Sequence, residues 1–168
     1  MRLLLRYALV LTSMFVLAVA YSTETKPPVQ QSLAVAISAP ASVKAGSPAK
    51  LTITATNTSD REVAYYVGPA ELYHIYVRDA TGAFAPDTAE GIRKHPWSPH
   101  RTGGGGVFSG PSFRFHVGPG EKQETEVDIT KEYNLTKPGK YTVYVERPDP
   151  ENKGQWLKSN TITITVTP

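Results

Sequence analysis

Between Val117 and Arg147 the chain reads VGPGEKQETEVDITKEYNLTKPGKYTVYVER. This stretch limits the possible folds more than any other. After the turn Gly118-Pro119-Gly120, Glu124, Glu126 and Asp128 alternate with Thr125, Val127 and Ile129. A period of two marks a strand with one wet and one buried face. Thr130 to Leu135 reads as a short helical turn. It leads into Lys137-Pro138-Gly139, where proline sets φ and glycine supplies a positive one. A second strand follows, with Tyr141, Val143 and Val145 inward and Thr142, Tyr144 and Glu146 outward. Leu135, Gly139, Tyr141 and Val143 have the spacing of a sandwich corner. There a tyrosine early in a strand hydrogen-bonds back to the corner, and its second neighbour plugs the core.

The same alternation recurs upstream and downstream. Leu33, Val35 and Ile37 alternate in one segment, and Leu51 and Ile53 alternate with threonines in the next. Glu62 to Val67 is aromatic and β-branched, and Tyr73, Ile75 and Val77 share one face of Leu72–Arg78. Phe113, Phe115 and Val117 resume the pattern, and Ile162, Ile164 and Val166 close it. Asn57-Thr58-Ser59-Asp60, Asp79-Ala80-Thr81-Gly82 and similar clusters supply the turns. Short strands at this spacing predict an all-β Greek-key sandwich of seven to eight antiparallel strands; a parallel sheet would need helical crossovers. Ala85 to Gly110 breaks the rhythm. It carries no period of either kind and is expected to be a long loop insertion.

The first twenty residues stand apart. Arg2 and Arg6 accompany an apolar run, Leu3 to Ala20, that closes on Ala18-Val19-Ala20, the small-x-small pattern of a cleaved export signal. The competing expectation is a single membrane anchor, since the run approaches the roughly 20 residues of a spanning helix. On the export reading, residues 1–20 are removed and residues 21–32 form a polar tether. The domain is residues 33–168, secreted or periplasmic, with no stable membrane insertion. The chain contains no cysteine, which excludes a disulfide and a lipid-modified cysteine. The whole chain carries 18 Lys+Arg against 15 Asp+Glu. Arg2 and Arg6 leave with the signal, so the mature charge is only +1. No basic stripe interleaved with aromatics is present, so nucleic acid is not an expected partner.

Two blocks carry a family resemblance. Ala41-Ser42-Val43-Lys44-Ala45-Gly46, followed by LTITATNTSDREV, resembles the first half of bacterial secreted immunoglobulin-like domains. GPGE…DITKEYNLTKPGKYTV resembles the second half. The pattern is also similar to the non-catalytic N-terminal sandwich of deuterolysin-like metallopeptidases. It is similar, more loosely, to small β-sandwich proteinase inhibitors of bacilli, through Asn57, the Asp79–Gly82 turn, Pro119-Gly120-Glu121 and Pro138-Gly139-x-Tyr141. The resemblance implies an immunoglobulin-like sandwich in which Val143 takes the plug position often held by a disulfide cysteine. It specifies turns and core, and so implies a fold more than an activity. The peptidase motif HExxH does not occur.

Candidate binding residues fall in two places. His95, Trp97, His100 and Arg101 lie in HPWSPHR. Pro96 and Pro99 give the two imidazoles no helical or hairpin geometry to share a metal, even with Asp87 or Glu90 upstream, so a solvent-facing loop is expected. No metal or other cofactor is assigned. His74, Tyr76 and Arg78 fall on the outward face of one strand, and Arg114 and His116 on that of another. If those strands are neighbours, they form an aromatic and cationic patch suited to protein or glycan contact. Glu124, Glu126 and Asp128 read as a solvated face rather than a calcium site, which gathers its ligands in a loop. Asn57-Thr58-Ser59 and Asn134-Leu135-Thr136 match the glycosylation sequon. Gly103–Gly106 lacks the Gly-Lys-Ser/Thr of a phosphate loop, and no serine lies in a nucleophile elbow. The expected protein is therefore an exported, non-enzymatic binding module with a protein partner. One alternative is a proteinase inhibitor or pro-domain-like protein presenting Ala85–Gly110 to a secreted peptidase. Another is a metal- or carbohydrate-binding protein using His95, Trp97 and His100.

Overall fold

The computed structural model describes residues 31–67, 73–95 and 113–168. The export segment, Trp97, His100 and Arg101 lie outside the described residues. In chain order the strands are β1 (Leu33–Ser38), β2 (Ser42–Lys44), β3 (Lys50–Asn57), β4 (Val63–Val67) and β5 (His74–Arg78). After the short helix α1 (Ala89–Lys94) come β6 (Phe113–Val117), β7 (Lys122–Asp128) and a 3-10 turn, Ile129–Lys131. The chain ends with β8 (Gly139–Pro148), β9 (Trp156–Lys158) and β10 (Ile162–Thr167).

One sheet has the order β1-β3-β7. The other runs β2-β10-β8-β5, with β9 paired to the far end of β8. A two-stranded ladder, β4-β6, makes up the remainder. The molecule is an all-β, immunoglobulin-like sandwich. Its core follows from the alternation: Leu33, Val35, Ile37, Leu51, Ile53, Ile75, Val77, Tyr141, Val143, Val145, Ile164 and Val166 are all buried in one cluster. Burying each such side chain stabilises the fold by about 1.5–3 kcal/mol, most of which chain entropy offsets.

Three expectations need correction. The described residues hold ten strands rather than seven or eight, because β2 and β9 are three-residue segments too short to show a period. β2 pairs with β10 in parallel, so the pairing is not wholly antiparallel. The segment from Ala85 does not begin as an unstructured loop. Ala85 is buried, Asp87 bridges Tyr133, and Ala89–Lys94 is helical, with the Thr88 side chain accepting from Gly91 N at its N-terminus. Six residues are too few to display helical periodicity.

Polar side chains fix the bends. Tyr141 Oη donates to Lys137 O at 2.9 Å across the corner, above the buried Leu135 and Val143, and Gly139 opens β8. Where β3 leaves its ladder, buried Asn57 donates to Arg61 O and Val117 O and accepts from Ser59 N and Oγ. The Asn57 sequon is thereby closed to modification in the folded chain, whereas Asn134 is exposed.

Candidate functional site

The first of the two predicted places is rebuilt by the fold. His95 is 2% exposed, not on a solvated loop. Its Nδ1 lies 2.8 Å from Asp87 Oδ1 and its Nε2 3.1 Å from Glu132 Oε2. The imidazole stacks on the Tyr133 ring at 4.7 Å, and Tyr133 Oη donates to Ile75 O in the opposing sheet. Lys94 Nζ reaches the other Glu132 oxygen at 2.9 Å. Burial opposes protonation of His95, but the hydrogen bonds and charges of Glu132 and Asp87 outweigh it and hold its pKa above the ordinary imidazole value. Burial likewise works against the Glu132 carboxylate, yet His95 and Lys94 draw its pKa below the usual range. With both ring nitrogens engaged, His95 has none to offer a metal. Among the described residues no group of three or more His, Asp or Glu is placed to hold a metal ion. The constellation latches α1 to the turn before β8.

The second place is split. β5 pairs with β8, whereas β6 pairs with β4, so His74, Tyr76 and Arg78 do not sit beside Arg114 and His116 as strand neighbours. His116 Nδ1 lies 2.6 Å from Glu62 Oε1, both half-exposed, and Arg114 is exposed on β6. Alternation placed each side chain outward correctly, but strand pairing over some forty residues is not legible from alternation.

What β5 finds instead is a different set of rings. Tyr76 stacks on Tyr144 of β8 with centroids 4.7 Å apart and planes within 13°. His74 packs against Trp156 of β9 at 4.8 Å, and Tyr76 lies 6.3 Å from Phe84. Trp156 and Phe84 are the exposed large apolar side chains among the described residues, at 47% and 40%. Two cations cover ring faces: Arg78 over Phe84 at 3.9 Å and Lys158 over Tyr144 at 4.0 Å. Phe84 is brought there by the Asp79–Gly82 turn. In that turn Asp79 Oδ1 accepts from Thr81 N, Thr81 Oγ1 and Ala83 N, and Gly82 takes a φ of +84°. These hydrogen bonds pull the exposed Asp79 carboxyl below its usual pKa. Phe84 then bridges back to Arg78, whose guanidinium donates to Gly82 O at 2.8 Å. Sequence reasoning missed Trp156 and Phe84 because neither lies in a readable strand. Their signal was only that each follows a turn after an outward-facing aromatic strand.

Two backbone carbonyls of this edge are already taken. Ala85 N donates to Val77 O and Tyr133 Oη to Ile75 O, so β5 does not present those carbonyls to an added strand. Burial pushes the Tyr76 hydroxyl pKa up and the His74 imidazole pKa down, so His74 is neutral at pH 7. The site is a side-chain surface on a rigid sheet.

No protein-family model matches this chain, and no curated protein matches it. Solved structures are similar at low identity. The CARDB domain of the PF1109 protein from Pyrococcus furiosus, solved in complex with di-metal ions, is 15% identical, with a TM-score of 0.45 over 82% of this chain and 89% of that one. A β-glucosidase from Listeria innocua in complex with gluconolactone is 13% identical, with a TM-score of 0.44 over 82% of this chain but only 16% of its own. PapD-like domain 7 of human CEP192 gives 13% identity and a TM-score of 0.33 over 92% of this chain and 96% of that one. Likenesses this distant transfer no ligand or activity.

Proposed function

We propose that the chain is an exported, non-catalytic immunoglobulin-like module that binds a macromolecular partner through the outer face of β5, β8 and β9. The observation that carries this reading is the row of rings ending in the two exposed aromatics, Trp156 and Phe84. Exposed tryptophan and tyrosine with arginine alongside are the side chains most often found as binding anchors. Here they are held in place by stacking and by cations over their faces, so little rotamer freedom remains to be lost on binding. His95, held between Asp87 and Glu132, is sealed in the core and fits a structural role.

A Trp156→Ser, Phe84→Ser variant is expected to unfold at the wild-type temperature and to lose capture of partners from the native secretome. Undiminished capture would refute the assignment. It would favour the segment Ala85–Gly110, which the inhibitor-like reading presents to a secreted peptidase. Export predicts a secreted protein whose intact mass corresponds to a start near Tyr21; full-length chain recovered only from membranes would contradict it.

A further inference from the structure

The geometry of this face points to the class of partner. We infer that it takes an acidic polypeptide segment, read through side chains and not by strand addition; this rests on the face being the binding surface at all. Three observations carry it.

The first is how the central rings stand. Glu146 is paired with His74 of β5 on one side and Lys158 of β9 on the other, so β5 and β9 flank β8. The Tyr76–Tyr144 separation of 4.7 Å equals the spacing of adjacent strands, and the planes are nearly parallel. The two rings therefore stand upright on the sheet, face to face, with Lys158 against the remaining face of Tyr144. A sugar ring that needs an open aromatic face to lie on does not find one on Tyr144. The outward end of the Tyr144 ring is its phenol hydroxyl, a hydrogen-bond donor that suits a carboxylate.

Charge is the second. Arg78, Lys140 and Lys158 project from the outward positions of β5, β8 and β9, against Glu146 on β8 and Asp79 in the turn that carries Phe84. Glu146 is itself 3.7 Å from Lys158. The surface is thus cationic around apolar anchors and complements a segment carrying carboxylates beside an apolar side chain. The third is the β5 edge, whose Ile75 and Val77 carbonyls already accept hydrogen bonds from Tyr133 and Ala85. An added strand would find those two acceptors already taken, which disfavours strand addition at this edge.

The test is a selection of displayed random peptides on the intact secreted protein. It is run in parallel with a panel of soluble glucans and polyuronates, and every binder is re-measured on Trp156→Ala and on Arg78→Gln, Lys158→Gln proteins. The expected result is enrichment of peptides combining Asp or Glu with an apolar residue. Their binding should fall by about tenfold or more in both variants and weaken with added salt. Enrichment of basic or uncharged peptides would overturn the inference. So would a glycan that binds in a Trp156-dependent manner while no peptide does, and in that case the face would stand and its ligand class would change. Binders indifferent to Trp156→Ala, or no binder of any kind, would remove both the inference and the face beneath it.

Discussion

Replacing His95 by alanine leaves Asp87 and Glu132 buried without the cation between them. Two charge-assisted hydrogen bonds of 2.8 and 3.1 Å and a ring stack at 4.7 Å are lost together. Breaking a buried ion pair from one side costs about 3–5 kcal/mol, because the surviving charge stays desolvated. Lys94 still neutralises part of Glu132, which places the expected loss near the lower end of that range. Asp87→Asn keeps an acceptor for Nδ1 and removes only charge, and should cost about 1–2 kcal/mol. The pH dependence has a defined sign. A histidine raised above 6.5 in the fold contributes stability that is complete below 6.5 and is lost as pH rises through the folded value. Glu132, depressed below 4.5, contributes stability that is complete above 4.5 and lost as pH falls through its folded value. The latch is therefore strongest between 4.5 and 6.5. His74, lowered by burial, acts in the opposite sense near 6.5, so the assay compares urea midpoints of wild type and variant at each pH. The difference should be largest near pH 5.5 and shrink toward alkaline pH. A difference flat from about pH 5 to 9, or an alanine cost under about 1 kcal/mol, would refute a charged buried latch.

Tyr141→Phe removes the 2.9 Å corner hydrogen bond and should lower stability by about 0.5–1.5 kcal/mol in urea denaturation. Gly91→Ala should destabilise despite the better helix propensity of alanine, because a Cβ there would stand 2.1 Å from Glu132 O; a raised melting temperature would show that the latch yields. Exchanging all of residues 85–110 for a short turn should unfold or strongly weaken the domain, since it deletes Ala85, Asp87, α1 and His95. A melting temperature within a few degrees of wild type would refute that structural role.

The sandwich was legible because Leu33, Leu51, Ile75, Val143 and Ile164 sit on strict two-residue alternations, and a period is a local property. The corner was legible for the same reason, with Pro138, Gly139 and Tyr141 adjacent in sequence. The latch was not, because His95 meets Asp87 eight residues away but Glu132 thirty-seven away, across a turn that no local pattern announces. The binding face was half legible. His74, Tyr76 and Arg78 were read outward on the right strand, but their neighbours are Tyr144, Trp156 and Phe84 rather than Arg114 and His116. Strand partnership is decided by sheet order, and sheet order by burial summed over the whole chain. β9 has only Leu157 buried, too little apolar sequence to be read as a strand, yet it carries the most exposed ring of the row.

Oxidative footprinting of the intact protein with and without a captured partner tests the binding face most directly, because Trp156 and Phe84 are the exposed, oxidisable rings at its ends. Both rings, with Tyr76 and Tyr144, are expected to become protected on binding, while Tyr65 and Phe115 of the β4-β6 ladder keep their free-state reactivity. Protection of Trp97 with Trp156 and Phe84 unchanged would contradict it and move recognition to residues 96–112.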